Sequence, residues 1–160
     1  ISGGMNVASG GKATQSSTYG GAEAARAIDG NKNPDYGKNG QTHTSNAGTS
    51  QPWWELDLGQ AVEVEKVLIW NRQGFESRLD GFTLTLLDSD RKAVFTTTNV
   101  AAPEVIQFDV KDGGKATYLA YNGKPGTPSN NGTKTVKGDG KKNEGKKFLK
   151  FRIYCDSSIN

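Results

Sequence analysis

The stretch WWELDL, Trp53 to Leu58, alternates strictly, with Trp54, Leu56 and Leu58 on one face and Trp53, Glu55 and Asp57 on the other. That is the period-2 pattern of a strand with one side in a core and the other in water. The pattern recurs along the chain. VEVEKVLIW (Val62 to Trp70) alternates and then turns wholly apolar, as a strand does on passing from a sheet edge into an interior. FTLTLL (Phe82 to Leu87) puts Phe82, Leu84 and Leu86 on one face, and KAVFTTT returns after the turn at DSDR, so the two predict a hairpin. VIQFDV (Val105 to Val110) and FLKFRIY (Phe148 to Tyr154) read as two more strands, the last with Leu149, Phe151 and Ile153 inward. Only GGAEAARAIDG competes as a helix, and its glycines limit it to a turn or two. Short strands at this spacing, with 21 Gly and one Met, predict an all-β sandwich.

At 160 residues the chain is one domain's worth and long enough to bury a core without staples. No apolar run approaches the roughly 20 residues needed to cross a bilayer, which argues against membrane insertion. The opening ISGGMNVASGG has neither a basic nor an apolar leader region, so any export signal was removed or lies elsewhere. Cys155 is the only cysteine and His43 the only histidine. Together they cannot supply three or four N/S ligands for zinc, and a Cys–His dyad would have to join a strand end to a loop. Neither G-x-S-x-G nor a phosphate-cradling Gly-rich motif occurs; paired carboxylates among Asp29, Asp35, Asp57, Glu76 and Asp80 stay open, and the reading is non-catalytic. The net charge of +3 is unevenly placed, since Gly132 to Arg152 holds eight Lys or Arg against Asp139 and Glu144. The central part of that run, VKGDGKKNEGKK, alternates with Gly and has no aromatic on which bases could stack, which disfavours nucleic acid and fits a solvated loop. The run lies largely within Tyr121 to Lys147, a Gly/Lys-rich segment that reads as an insertion in a single domain spanning 1–160, with Asn131-Gly132-Thr133 fitting a glycosylation sequon.

Two loops could carry chemistry. AIDGNKNPDYGKNGQTHTS is too rich in Gly, Asn, Thr and Ser to order itself as a helix or strand, yet it holds His43. Its Asp, Asn and Gly suit a calcium ion, which takes six to eight oxygens from carboxylates and carbonyls; an ordinary Asx-turn at Asp29-Gly30 with no ion explains the dipeptide equally well. NRQGFESRLDG, Asn71 to Gly81, links two strands and carries Arg72 and Arg78 with Phe75 between them. Beside His43, the two arginines offer fixed donors and no evident nucleophile, which suits holding hydroxyls or a carboxylate. The alternative is that they pair with Glu76, Asp80 or Glu55.

The residues NVASGGKATQSSTYGGAEAARAIDGN, THTS, PWWELDLGQAVEVEKVLIWNR and RLDGF resemble the galactose-binding-like sandwich of discoidin and coagulation-factor type C domains, and most closely the F-type lectins (fucolectins). The resemblance covers roughly Asn6 to Phe95. It implies a jelly-roll β-sandwich of about eight main strands with long loops, and a calcium-dependent lectin-like module for fucose or galactose-configured glycans or polysaccharides. A calcium ion would take the Asp29 carboxylate and the carbonyls of Arg26, Asn31 and Gly40, with Asp156 as the nearest match to an acidic ligand from the closing strand. The sugar site would fall on His43, Arg72 and Arg78, with Tyr36 and Phe75 against the sugar. The chain departs from the family pattern at Gly74, where an Asp is usual, at the absent cysteine pair, and in an Arg spacing one residue shorter. Similar domains are fused to larger extracytoplasmic proteins, which implies a secreted, periplasmic or cell-surface location. The alternative function is a structural or protein-interaction domain with a vestigial sugar site.

Overall fold

The computed structural model describes residues 5–44, 52–98, 104–110, 115–122 and 151–157. Among them eight strands run antiparallel: β1 (Met5–Asn6), β2 (Lys12–Gln15), β3 (Trp53–Asn71), β4 (Thr83–Leu87), β5 (Ala93–Thr98), β6 (Val105–Asp109), β7 (Lys115–Asn122) and β8 (Phe151–Ser157). One layer is β2, the first half of β3, β7, β4 and β5; the other is β1, β8, the second half of β3 and β6.

The two runs read as separate strands, Trp53 to Leu58 and Val62 to Trp70, are one strand of 19 residues. Its pairing with β7 shifts register between Asp57 and Val62, so the ladder bends there without stopping. Its first half faces inward through Trp54 and Leu56 and its second through Val67 and Ile69, all wholly buried. Leu84, Leu86 and Leu119 complete the inner face of the first layer. Phe82 meets Phe108 edge to face, ring centres 5.9 Å apart. Each fully buried leucine or larger apolar side chain contributes about 1.5–3 kcal/mol relative to exposure, so this interior is the main stabilising term.

Three strands went unread in the sequence: β1 is a two-residue strand whose Met5 and Asn6 pair with Ser157 and Asp156. β2 is a short polar edge strand paired to Glu55 and its neighbours, and β7 is the central strand between β3 and β4. Smaller corrections concern ends: the strand expected at Phe82 begins at Thr83, the one expected at Lys92 begins at Ala93, and the one expected to run through Val110 stops at Asp109. The last strand runs through Ser157, and Phe148 to Lys150 lie outside the described residues. Of the segment read as an insertion, Tyr121 and Asn122 finish β7, and the remainder with its basic run and sequon lies outside the described residues. The Ala-rich stretch forms a 3-10 turn, Ala24–Ala27, whose Ala24 carbonyl accepts the buried Trp54 indole N–H at 3.0 Å. Among the described residues no helix is long and apolar enough to cross a membrane.

Candidate carbohydrate site at the loop end

The His43 loop is shaped by its short polar side chains. The side-chain oxygens of Asp29, Asn31, Asn33 and Asp35 each accept the backbone N–H two residues on, at 2.9, 3.1, 3.0 and 2.8 Å. These Asx-turns make a relay that ends in the 3-10 turn Tyr36–Lys38. Asn31 also donates through Nδ2 to the Lys38 carbonyl, which closes the loop on itself. The chain then comes so close to Asn33 that a Cβ on Gly40 would lie 2.2 Å from the Asn33 carbonyl oxygen, closer than any side chain is tolerated. Gln41 is 1% exposed and donates to that same carbonyl, while its Oε1 is buried without a partner among the described residues.

Beyond this point the loop sinks into the protein. Thr42, His43 and Thr44 are all buried, and His43 is 3% exposed. Its backbone is held on both sides, donating to the Ala22 carbonyl and accepting from Tyr19 N–H. The imidazole Nδ1 lies against the Thr44 carbonyl, an acceptor only, so Nδ1 carries a proton in that contact. Tyr19 lies across the ring at 4.9 Å between centres, and Tyr36 stands edge-on at 5.7 Å.

The second loop begins where β3 ends. Asn71 is buried, donates through Nδ2 to the Glu76 carbonyl and accepts the Arg72 N–H. Gly74, at φ 77°, lies in the left-handed region and its N–H donates to the Glu76 carboxylate. An Asp at that position would meet a backbone strain that Gly avoids. The 3-10 turn Glu76–Leu79 follows, with Leu79 buried in the core. Gln73 N–H donates to the Pro34 carbonyl at 3.1 Å and so ties the two loops together.

That tie brings the charged groups to the histidine. The Arg72 guanidinium lies 4.7 Å from the centre of the Tyr36 ring and 4.2 Å from that of Phe75, and Arg78 lies 4.1 Å from Phe75. Arg72 rests on rings and makes no guanidinium hydrogen bond to the described residues, so its planar fork of donors remains unspent. Burial, and then the charge of Arg72, push the pKa of Arg78 below the ordinary arginine value. The site therefore holds two like charges and partly dehydrates one of them, a cost that an electron-rich oxygen between them would offset. Burial raises the Tyr36 phenol above its usual value against the opposing pull of Arg26 and Arg72, so it stays protonated at neutral pH.

His43, Tyr36, Arg72, Phe75 and Arg78 thus form one connected group, with the Glu55 alternative removed because Glu55 pairs with Arg91 on another face. Tyr19 belongs to the group and was missed; its only signal was an aromatic left between polar and Gly residues in SSTYGG. For a cation, Arg26 lies in the 3-10 turn Ala24–Ala27, Asp29 and Asn31 lie in the relay and Gly40 just beyond it, and β8 puts Asp156 opposite Asn6 on one side and Lys66 on the other. No cluster of three or more His, Cys, Asp or Glu forms among the described residues, so an ion here would depend on backbone carbonyls.

The model of the NedA-like, galactose-binding domain in the F5/F8 type C group matches residues 26–120. A fucolectin of Anguilla anguilla is 43% identical over 72 residues, covering 42% of this chain and 44% of the eel protein, so the chain matches under half the length of that relative. A Streptococcus pneumoniae fucose binding module superposes with a TM-score of 0.77 at 28% identity, over 97% of this chain and 99% of the module. The lectin domain of lectinolysin, solved with Lewis B antigen, superposes equally well at 26% identity, over 97% and 98% of the two chains. With the matched segment running from Arg26 through both loops to Ala120, the chain belongs to the F5/F8 type C family of NedA-like, galactose-binding domains.

Proposed function

We propose that this chain is a non-catalytic carbohydrate-binding module that takes fucose or another galactose-configured sugar between His43, Arg72 and Arg78. The observation that carries the reading is the unspent Arg72 fork lying over the faces of Tyr36 and Phe75, with the Tyr36 ring itself packed against His43. A sugar offers hydroxyls that both donate and accept, and a patch of C–H groups. Arginine donors, the His43 imidazole and aromatic rings answer these. Relatives that are fucolectins and fucose binding modules support the same substrate class.

The reading includes a calcium ion under the His43 loop, held by Asp29, the carbonyls of Arg26, Asn31 and Gly40, and Asp156. Such a donor set is all oxygen and suits a hard cation, which would neutralise the acidic side chains and fix the loop that presents His43. It also includes action outside the cytoplasm, secreted, periplasmic or at a cell surface, alone or as part of a larger extracytoplasmic protein.

Calorimetric titration with fucose, galactose, mannose and N-acetylglucosamine, in calcium and in chelator, tests it. The wild type should bind fucose or galactose in calcium. His43→Ala, Arg72→Ala and Arg78→Ala should each lose about ten- to hundredfold, the 1.5–3 kcal/mol of a charge-assisted hydrogen bond, and Arg72→Lys should recover little. Equal binding by all three alanine variants would place the sugar elsewhere. A folded, calcium-loaded wild type that binds none of the four would leave the protein-interaction role in its place.

A further inference from the structure

The outward face of the layer formed by β2, β3, β7, β4 and β5 carries a second feature, away from the loop end. A row of residues crosses it from strand to strand: Thr14 opposite Glu55, Glu55 opposite Ala120, Ala120 opposite Thr85, and Thr85 opposite Thr96. With neighbouring strands about 4.8 Å apart, the row extends over roughly 19 Å. Its low point is Ala120, a single methyl. A groove of about 570 Å³ opens over it, bounded by Thr14, Trp53, Glu55, Thr85 and Arg91.

Two residues of this groove are placed against ordinary preference. Trp53 is 41% exposed, although Trp54 beside it is wholly buried. A lone exposed apolar residue means little, but this indole stands at the rim of a concave surface. Arg91 occupies the hairpin turn between β4 and β5 at φ 61°, a left-handed conformation that glycine would adopt freely and arginine adopts under strain. From there its guanidinium reaches back over the sheet, 4.6 Å from the centre of the Tyr118 ring and 2.7 Å from the Glu55 carboxylate. An exposed ion pair contributes too little to stability to explain that arrangement. Its effect is to hold a fork of donors and a carboxylate over the groove.

Charge selects the kind of occupant. Arg91 is balanced by Glu55, and in the next row Lys12 stands opposite Asp57, so the face recruits neither an anion nor a cation. What remains along the elongated surface are threonine hydroxyls, one carboxylate, one guanidinium, the Leu87 side chain and a partly exposed indole. A neutral polysaccharide has the matching chemistry, with hydroxyls along its edges and C–H faces that lie on aromatic rings. We infer that this groove is a second carbohydrate-binding surface, one that takes the interior of a neutral glycan chain and acts independently of the loop-end sugar site.

Electrophoresis through gels containing soluble polysaccharides free of fucose and galactose (glucomannan, arabinoxylan or mixed-linkage β-glucan), with calcium present, tests the inference. At least one gel should retard the wild type. Trp53→Ala should weaken that retardation tenfold or more, and Ala120→Leu, which fills the low point from the outside of the sheet, should abolish it. Arg78→Ala should leave it unchanged. Fucose titration of the two groove variants, which should match wild type, keeps a failure of this surface distinct from a failure of the loop-end site. If Trp53→Ala does not fold, Ala120→Leu decides. No retardation in any gel, retardation kept in a folded Ala120→Leu, or retardation lost in Arg78→Ala would each overturn the inference.

Discussion

The two loops that meet at His43 are held by opposite means. From Asp29 to Gly37 the first is a relay of exposed or half-buried side chains bonding their own backbone, and none of its four capping groups reaches the core. The second hangs from Asn71, buried at the end of β3, and from Leu79, buried in the apolar interior. Bonds made in water contribute about 0.5–1.5 kcal/mol each, and water competes for every one of them. The core-anchored loop therefore supplies rigid arginines from the fold itself, whereas the relay loop leaves room for an ion to matter.

Removing calcium should break the comparison most visibly. A cation at a hundredfold excess over its Kd stabilises the native state by about 2.7 kcal/mol, and a domain of this size loses roughly 2–4 °C in Tm per kcal/mol. Chelation should lower the Tm accordingly and speed hydrogen exchange at Asn31, Asn33, Asp35 and Gly37, while Arg72 and Gly74 amides change little. Equal melting curves in calcium and chelator would mean the relay suffices alone.

Asn71→Ala attacks the other loop. It leaves the Glu76 carbonyl and the Arg72 N–H without their partner, at a cost of about 1–3 kcal/mol because the position is buried. The Tm should fall with or without calcium, and sugar affinity should fall with it as Arg72 loses its mooring. A smaller effect is expected from Asn31→Ala, which deletes two exposed bonds, to Asn33 N–H and to the Lys38 carbonyl. About 1 kcal/mol should be lost in chelator, measured by urea unfolding; a loss as large as that of Asn71→Ala would erase the distinction between the loops.

How much was legible in the sequence follows the same division. WWELDL, VEVEKVLIW and FTLTLL announce their strands because one face is apolar and the next residue is not. KATYLAYN hides β7, since Ala116 and Ala120 serve buried and outward positions with the same small side chain and so show no alternation. KATQ hides β2 because an edge strand can be polar on most of its residues. Gly59 and Gln60 look like a turn, yet the chain bends there while keeping its ladder. At the site, His43, Arg72 and Arg78 stood out as the chain's only His and as two arginines in one loop. Tyr19 could not, because what joins it to His43 is a ring contact between segments far apart in the chain. The relay at positions 29, 31, 33 and 35 was written plainly as Asp, Asn, Asn and Asp, but its effect depends on four successive turns that composition does not reveal.

The unbroken length of β3 has a consequence for how the molecule comes apart. One strand hydrogen-bonds to β2 and β7 in the first layer and to β6 and β8 in the second, so neither layer can peel away while the other persists. The sandwich should therefore open as a single foldon, with exchange of its deepest amides, at Leu56 in one half of the strand and Ile69 in the other, sharing one opening free energy. Pairing across such long stretches of sequence slows folding, and one strand carries the groove at Trp53 at one end and the Asn71 loop at the other.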